Sequence, residues 1–483
     1  MRKAWSLKKI ISIMLAVGAF VCISSCSSKT TSGDVDESEF SIATIDVIPS
    51  KDTDIPDIEV VEPTNFVILR EYGVEDAFLS GGESQDMLGR AIFERNSNIS
   101  KEYGITFSEV VENDIVERVR ADYLSGKPEY DMLILSARSA AVLITEGCLA
   151  DLESIAGFDA AKPGYYEDVI SSLSIGGKSY LAAGDATPSL LLSADTVLLN
   201  TDLLAKLGEA TEMLYTNGKG VIPLAKEGGF TYDVMMSFSK AFSSLNGVDT
   251  ATPSGESAAI RADSDDALAL YLSGGGVFYQ KDGLTDIPFE VEFDGEIEDI
   301  YYSVMKIFGF DPRTDAVEFE EENESDSLAG FSLFSVASIA ELLALRNEGS
   351  PFLPLPMPKM SLEGNYICNV DLSRAAFTAI PAKAPDRERS LAVMNVIYAM
   401  SGSIPKIIAE SCEPQGEEGA FDVIYQSLSS DILLLMGYGD IESLMTSAVK
   451  EQMKSNIFGD RFAERSTVAV KALSILSDKL NGK

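Results

Sequence analysis

The 483-residue chain has no histidine, one tryptophan, five cysteines and only 38 basic residues against 76 acidic ones. Without imidazole there is no Ser-His-Asp or Cys-His catalysis, no histidine acid-base chemistry and almost no conventional zinc site. The single tryptophan, Trp5, lies at the extreme N-terminus, so any aromatic platform for a ligand must come from the 17 tyrosines and 23 phenylalanines. A net charge of −38 argues against nucleic acid or an anionic lipid surface as the partner. It does not make the ligand a cation, because net charge describes the whole surface and a ligand feels only its cleft. Beyond residue 26 three cysteines remain, Cys148, Cys368 and Cys412, with no C-x-x-C among them. An odd number cannot pair completely, which leaves either buried free thiols or one bridge and one thiol. The acidic run Glu318, Glu320, Glu321, Glu322, Glu324 and Asp326 lacks a turn glycine and reads as a solvated loop rather than a calcium site. No metal, cofactor or catalytic residue is expected.

What is present begins with an export signal. Arg2, Lys3, Lys8 and Lys9 precede a nearly wholly apolar stretch, Ile10 to Ile23, too short to span a bilayer comfortably but suited to a signal-peptide core. Ile23-Ser24-Ser25-Cys26 follows, an aliphatic residue and two small ones before the cysteine that a lipobox requires. Cys22 is the only rival acceptor and lacks small residues before it; an ordinary secretory signal with an incidental cysteine is the other reading. Residues 1–25 are therefore expected to be a lipoprotein signal peptide and Cys26 the lipidation site, placing the mature chain on the extracellular face of the cell membrane. No later segment has the uninterrupted apolar length of a membrane helix, so the lipid would be the only membrane contact. Cleavage would leave 34 basic against 76 acidic residues, a charge of −42. Residues 26–63, with ten acidic residues against Lys29 and Lys51 and with Pro49, Pro56 and Pro63, read as a self-repelling flexible tether reaching on the order of 35 Å.

Folded sequence starts near Asn65. Phe66 to Leu69 has strand character, Gln85 to Lys101 helical character, Ile105 to Phe107 strand, Ile115 to Leu124 helix, and Asp131 to Leu135 strand before Ser136-Ala137-Arg138-Ser139 and another helix. Such alternation marks a mostly parallel sheet flanked by helices, with ligands gathered at the carboxyl ends of its strands. A second alternation follows. Ser189 to Asn200 is strand-like, Leu203 to Leu207 helical, and helices start at Phe230-Thr231-Tyr232-Asp233 and Asp263-Ser264-Asp265-Asp266.

Several short stretches then align in order: Ala91-Ile92-Phe93-Glu94-Arg95-Asn96, Glu129-Tyr130-Asp131-Met132-Leu133, Gly147 to Leu152, Ile175 to Tyr180, Leu199 to Leu204, Phe230 to Asp233, Pro354 to Lys359 and Ala379 to Lys383. Behind a lipobox, this succession resembles the extracellular solute-binding proteins of ABC importers, family 1, in particular the sugar-receptor-like lipoproteins of clostridial bacteria. The resemblance covers about Arg90 to Tyr398. It implies an α/β, two-lobed periplasmic-binding-protein-like fold, each lobe a mostly parallel sheet flanked by helices, with the ligand cleft at the hinge. It further implies lobe 1 from 64–185, lobe 2 from 186–360, a return segment at 361–410 and a C-terminal helical segment at 411–483, mainly in lobe 2. The stretch Ala182 to Pro188 would be a crossing strand. Two departures stand out: Phe230 replaces a common tryptophan at the opening of a lobe-two helix, and Leu372 replaces a common aromatic. Asn246-Gly247-Val248-Asp249 is too short for the family's calcium-like loop.

Candidate ligand contacts follow, each with a plainer alternative. Ser136, Arg138 and Ser139 offer donors at the sheet edge, or Ser139 merely caps a helix and Arg138 pairs with a surface acid. Asp185 and Thr187 lie in the expected crossing segment, where they face the ligand or satisfy hinge amides. Phe230 is a stacking platform or a core residue. Asp371 and Arg374 contact ligand or pair with each other. The expected function is capture of a small solute, a sugar or oligosaccharide first, by a monomeric receptor that closes like a hinge and hands it to ABC permease subunits. The alternatives are a sensor or interaction lipoprotein retaining the receptor fold, and a carboxylate-based surface hydrolase, which would need no histidine.

Overall fold

The structure is a computed structural model, and it describes residues 64–74, 78–79, 87–246, 259–283, 285–313, 332–413 and 419–482. The signal peptide, Cys26, the tether, residues 247–249 and the acidic run at 318–326 lie outside the described residues.

In chain order the strands are β1 (Thr64–Glu71), β2 (Ile105–Glu112), β3 (Met132–Ser136), β4 (Asp195–Asn200), β5 (Ile260–Arg261) and β6 (Tyr279–Lys281). They continue with β7 (Pro288–Glu290), β8 (Phe334–Ser338), β9 (Phe352–Leu355), β10 (Cys368–Asn369), β11 (Ala376–Ala379) and β12 (Leu428–Ser429). Two four-stranded sheets dominate, ordered β11-β3-β1-β2 and β5-β8-β4-β9.

The first sheet is parallel except for β11. β1 pairs in register with β2 from Thr64↔Ile105 and with β3 from Ile68↔Met132, while β11 runs antiparallel to β3 with Ala376 opposite Ser136. Met132, Leu133, Ile134 and Leu135 are all fully buried, as a central strand covered on both faces requires. Beside it the Asp131 carboxylate accepts the Val67 amide of β1 at 2.9 Å and pairs with Arg389. Strand and return helix are thereby fastened together. Arg95, buried on the Met87–Tyr103 helix, donates to Ser401 Oγ at 3.0 Å and to the Phe78 carbonyl at 3.1 Å, and stacks on the Phe78 ring.

Strand sense in the second sheet departs from the expected parallel majority of neighbours. β4 is antiparallel to both β8 and β9, and only β5–β8 is a parallel pair. The reason is order of arrival: β8, the Ile339–Asn347 helix and β9 form one crossover unit whose two strands settle on either side of β4, the strand by which the chain entered. β5, β8 and β9 therefore run one way and β4 alone runs against them. The stretch expected to be strand-like from Ser189 also divides, because Pro188 at the first helical position starts a helical turn, Pro188–Leu192, before β4.

Three segments connect the sheets. Ala182 bridges Thr378, Gly184 bridges Tyr165, and Ala194 bridges Val370 on the returning segment. At the first of these the backbones nearly touch: a Cβ on Gly184 would lie 2.0 Å from the Gly164 carbonyl oxygen, so only glycine fits. The third connection is helical. Arg387–Ala399 and Ser403–Cys412 together have the length and apolarity of a membrane span, yet Leu391, Val393, Met394, Val396, Ile397 and Tyr398 are buried in the protein core. Cys148, Cys368 and Cys412 are free and buried, and burial pushes the Cys368 and Cys412 thiols up to about 11 and about 12. They are inert thiols.

Candidate functional site

The carboxyl ends of β1, β3 and β8 bring most of the site residues to one region. Ser136 ends β3 and caps the Ala137–Thr145 helix, its Oγ accepting the Ser139 amide at 3.3 Å. Parallel pairing sets the end of β1 alongside, and the Glu71 carboxylate there accepts the Ser136 amide at 2.8 Å and the Ser139 hydroxyl at 2.9 Å. The donors that the sequence offered to a ligand are thus taken by the chain itself. Arg138, in the first turn of the same helix, is exposed. Tyr72, which follows Glu71 and is 69% exposed, supplies an aromatic surface at this edge in place of the absent tryptophans. Neither Glu71 nor Tyr72 was among the sequence candidates; the signal available was their place at a strand's carboxyl end, the same rule that marks Ser136.

The return segment joins this edge because Ala376 is opposite Ser136. Two residues upstream, Arg374 pairs with Asp371 at 3.2 Å and reaches the second sheet, approaching Glu341 at 3.6 Å and donating to Ser338 Oγ at 3.3 Å. Asp371 also accepts the Ser373 amide at 2.9 Å. Ser338 and Glu341 form a capping box at the start of the Ile339–Asn347 helix. Directly across from Ser338 in register lies Asp195, whose carboxyl is pushed up to about 8 by burial and then by Asp371. Burial and then Asp263 raise Asp266 as well. The edge where the two sheets meet is therefore acidic, and Arg374 is committed to its carboxylates.

Asp185 and Thr187 lie behind this edge. Asp185 is 4% exposed and accepts the Tyr425 hydroxyl at 2.9 Å. The buried Tyr166 hydroxyl sits beside the same carboxylate. Burial outweighs these tyrosines and lifts the Asp185 carboxyl to about 7. Thr187 is buried with its hydroxyl on the Gly184 carbonyl at 3.1 Å. Phe230 has no exposed surface. Its ring packs 6.0 Å from Phe334 and its amide donates to the Tyr366 hydroxyl. In this conformation it is a core residue of the second lobe and offers no face for stacking.

Two cavities flank other elements. One of about 200 Å3 lies between the Ala137–Thr145 helix and Met436 and Tyr438. Another, of about 910 Å3 and open to solvent, is bounded by Glu290 to Phe293, Arg313 and the start of the Ser455–Leu480 helix, and it shares no residue with the strand-end site. Among the described residues no cluster of acidic or sulfur ligands has metal-binding geometry.

No family model matches the sequence, and no curated protein matches it. The fold does have counterparts. One is a cyclo/maltodextrin-binding protein complexed with maltotetraose, at 14% identity and a TM-score of 0.55, over 86% of this chain and 97% of that one. Another is the galacto-N-biose-/lacto-N-biose I-binding protein of an ABC transporter from Bifidobacterium longum in complex with lacto-N-biose, at 13% identity and a TM-score of 0.51, over 86% of this chain and 98% of that one. The chain has their two-lobed fold. At such identities the likeness is one of architecture, and it spans nearly the whole of both counterparts.

Proposed function

We propose that the protein is an extracellular solute-binding receptor that captures a carbohydrate between its two lobes and delivers it to an ABC importer. The observation that carries this reading is the extent of the fold likeness: almost the entire length of two proteins solved with oligosaccharides bound is matched. The strand-end site, with hydroxyls, carboxylates and the exposed Tyr72 ring, is of the mixed polar and aromatic kind that sugars require. In this reading Cys26 carries the lipid, residues 26–63 give the receptor room to dock on its permease, and the protein acts as a monomer that alters nothing it binds. In this reading Arg138 and Tyr72, the exposed side chains of the strand-end site, meet the solute first, and Ser136, Asp371, Arg374 and Glu71 line the cleft behind them. Asp185 and Thr187 support the hinge.

Thermal denaturation of the mature chain against a panel of neutral oligosaccharides, starting with maltotetraose and lacto-N-biose, tests the proposal. A bound sugar at one hundred times its Kd stabilises by about 2.7 kcal/mol, a shift of a few degrees for a chain of this size, and is recovered intact. Turnover of the sugar would instead indicate a hydrolase. A panel with no stabilising member would leave a surface interaction module.

A further inference from the structure

The stretch Ile175 to Tyr180 has no part in the strand-end site, yet it is gripped from two sides. Gly176 and Gly177, at φ of 63° and 74°, form a two-residue turn across which the backbones of Ile175 and Lys178 bond each other. The turn is tied to the first lobe, because the Ser179 carbonyl accepts the Leu152 amide at 2.7 Å and Ala182 bridges Thr378 on β11. What grips it belongs to the second. The β6–β7 hairpin follows the Ala267–Ser273 helix, whose Leu270 carbonyl accepts the Tyr232 hydroxyl, and Phe278 at its base packs on Tyr271 and Phe462 at 5.0 and 5.3 Å.

From this hairpin Lys281 donates to the Ser174 and Ser172 carbonyls at 2.5 and 3.3 Å. Asp286 pairs with Lys281 at 3.2 Å and accepts the Gly177 amide at 3.1 Å and the Ser174 hydroxyl at 3.2 Å. It does so from a left-handed backbone, φ 53°, uncommon for a residue other than glycine. On the other side the end of the Ser455–Leu480 helix closes in: the Leu480 carbonyl accepts Lys178 Nζ at 2.5 Å, and a Cβ on Gly176 would lie 2.5 Å from Ser477 Oγ. Polar contacts of this kind exchange for water at small net cost, so the grip can part and re-form.

Its position decides what it does. On β11, Ala376 is opposite Ser136 and Ala379 opposite Leu133, so β11 runs from the strand-end site toward the amino end of β3. Ala182 pairs antiparallel with Thr378, and the Ala150 and Leu152 amides bond Ile380 and Ser179. The residues from Ala182 back to the turn therefore lead away from Ser136. The crossings lie between the strand-end site and the grip, so lobes that pivot on them toward each other at the site must part at the grip.

We propose that the hold of Lys281 and Asp286 on the 172–178 turn is a clasp behind the hinge that opposes closure and thereby sets how tightly the receptor holds its solute. The proposal rests on the receptor reading for what is held, but half of its test needs no solute. Asp286→Gly removes the carboxylate at a backbone that glycine adopts freely, and Lys281→Met replaces the cation with an apolar chain. Spin labels on Arg90→Cys and Lys206→Cys, exposed on the two lobes, report the distance between lobes in the purified mature chain. Maltotetraose and lacto-N-biose are titrated into the unlabelled proteins by calorimetry.

Without sugar, both clasp variants are expected to shorten the distance relative to wild type, while Arg461→Ala, which breaks an exposed pair with Glu451, leaves it unchanged. A sugar that binds the wild-type chain is expected to bind the clasp variants about fivefold more tightly, a gain that a merely loosened fold would not give. Should Asp286→Gly fail to fold, Asp286→Asn keeps an acceptor for the Gly177 amide, tolerates the same backbone and should move both readouts by less. An unliganded distance equal to or longer than that of wild type in the folded variants, or equal or weaker affinity for a sugar that wild type binds, overturns the proposal. Variants that close without sugar, in a chain that answers to no sugar, would keep the clasp and sink the receptor reading instead.

Discussion

The two strand-to-helix junctions that face each other across the site solve the same problem with different sources. At the second-lobe junction Ser338 caps its helix and Glu341, three residues on, turns back to the Ser338 amide at 2.8 Å. At the first-lobe junction Ser136 caps in the same manner, but position 139 is serine, and the carboxylate arrives from Glu71 on the neighbouring strand. A local carboxylate belongs to its helix. A remote one can be removed without unmaking the helix.

The largest effect expected bears on the crossing behind these junctions. The Asp185 carboxyl titrates at about 7 in the folded protein and at about 3.9 when unfolded. Below about pH 4 it is protonated in both states and contributes nothing. Between there and about pH 7 the unfolded chain has lost the proton that the folded chain retains, so stability falls as pH rises, by about 4 kcal/mol at most, and is flat above. Asp195, pushed up to about 8, and Asp431, pushed up to about 6, both chiefly by burial, act in the same direction. Urea denaturation from pH 4 to pH 8 should show this decline, and Asp185→Asn should remove its own share of it; an unchanged slope would remove Asp185 as a source.

Next in size is Asp131→Ala, which deprives the Val67 amide and the half-buried Arg389 of their partner. Loss of about 3 kcal/mol is expected by chemical denaturation at pH 7, as for other broken buried pairs, and a loss under 1 kcal/mol would mean that Arg389 is satisfied by solvent.

Smaller effects separate the junctions themselves. Glu71→Ala leaves two donors without their acceptor and should destabilise by about 1–3 kcal/mol in chemical denaturation. Glu341→Ala should lower stability by about 1 kcal/mol, the scale of a lost cap. If Glu341→Ala costs as much as Glu71→Ala, the distinction between a local and a remote carboxylate fails.

The same distinction explains what could be read from the sequence. Ser136 at the end of an apolar run, the helix after it and the Asn65 start were legible because each is set within a few residues by periodicity and turn chemistry. So was the two-lobed architecture, through stretches whose order mirrors a known family. Glu71 was not legible, since nothing near it marks a carboxylate that will bond a turn 65 residues later. Tyr425 escaped for the same reason, lying 240 residues from the Asp185 it bonds. Phe230 was legible as a helix start, but whether its ring faced ligand or core depended on Phe334 and Tyr366, brought to it by the fold. Strand sense around β4 depended on which strands would settle beside it later in the chain.

The central claim is a receptor whose lobes close on an oligosaccharide. It is tested most directly by the distance between spin labels on Arg90→Cys, exposed on the first lobe, and Lys206→Cys, exposed on the second; the three native thiols are buried and should stay unlabelled. At least one oligosaccharide of the panel is expected to shorten and narrow this distance. A distribution that no sugar alters would contradict it.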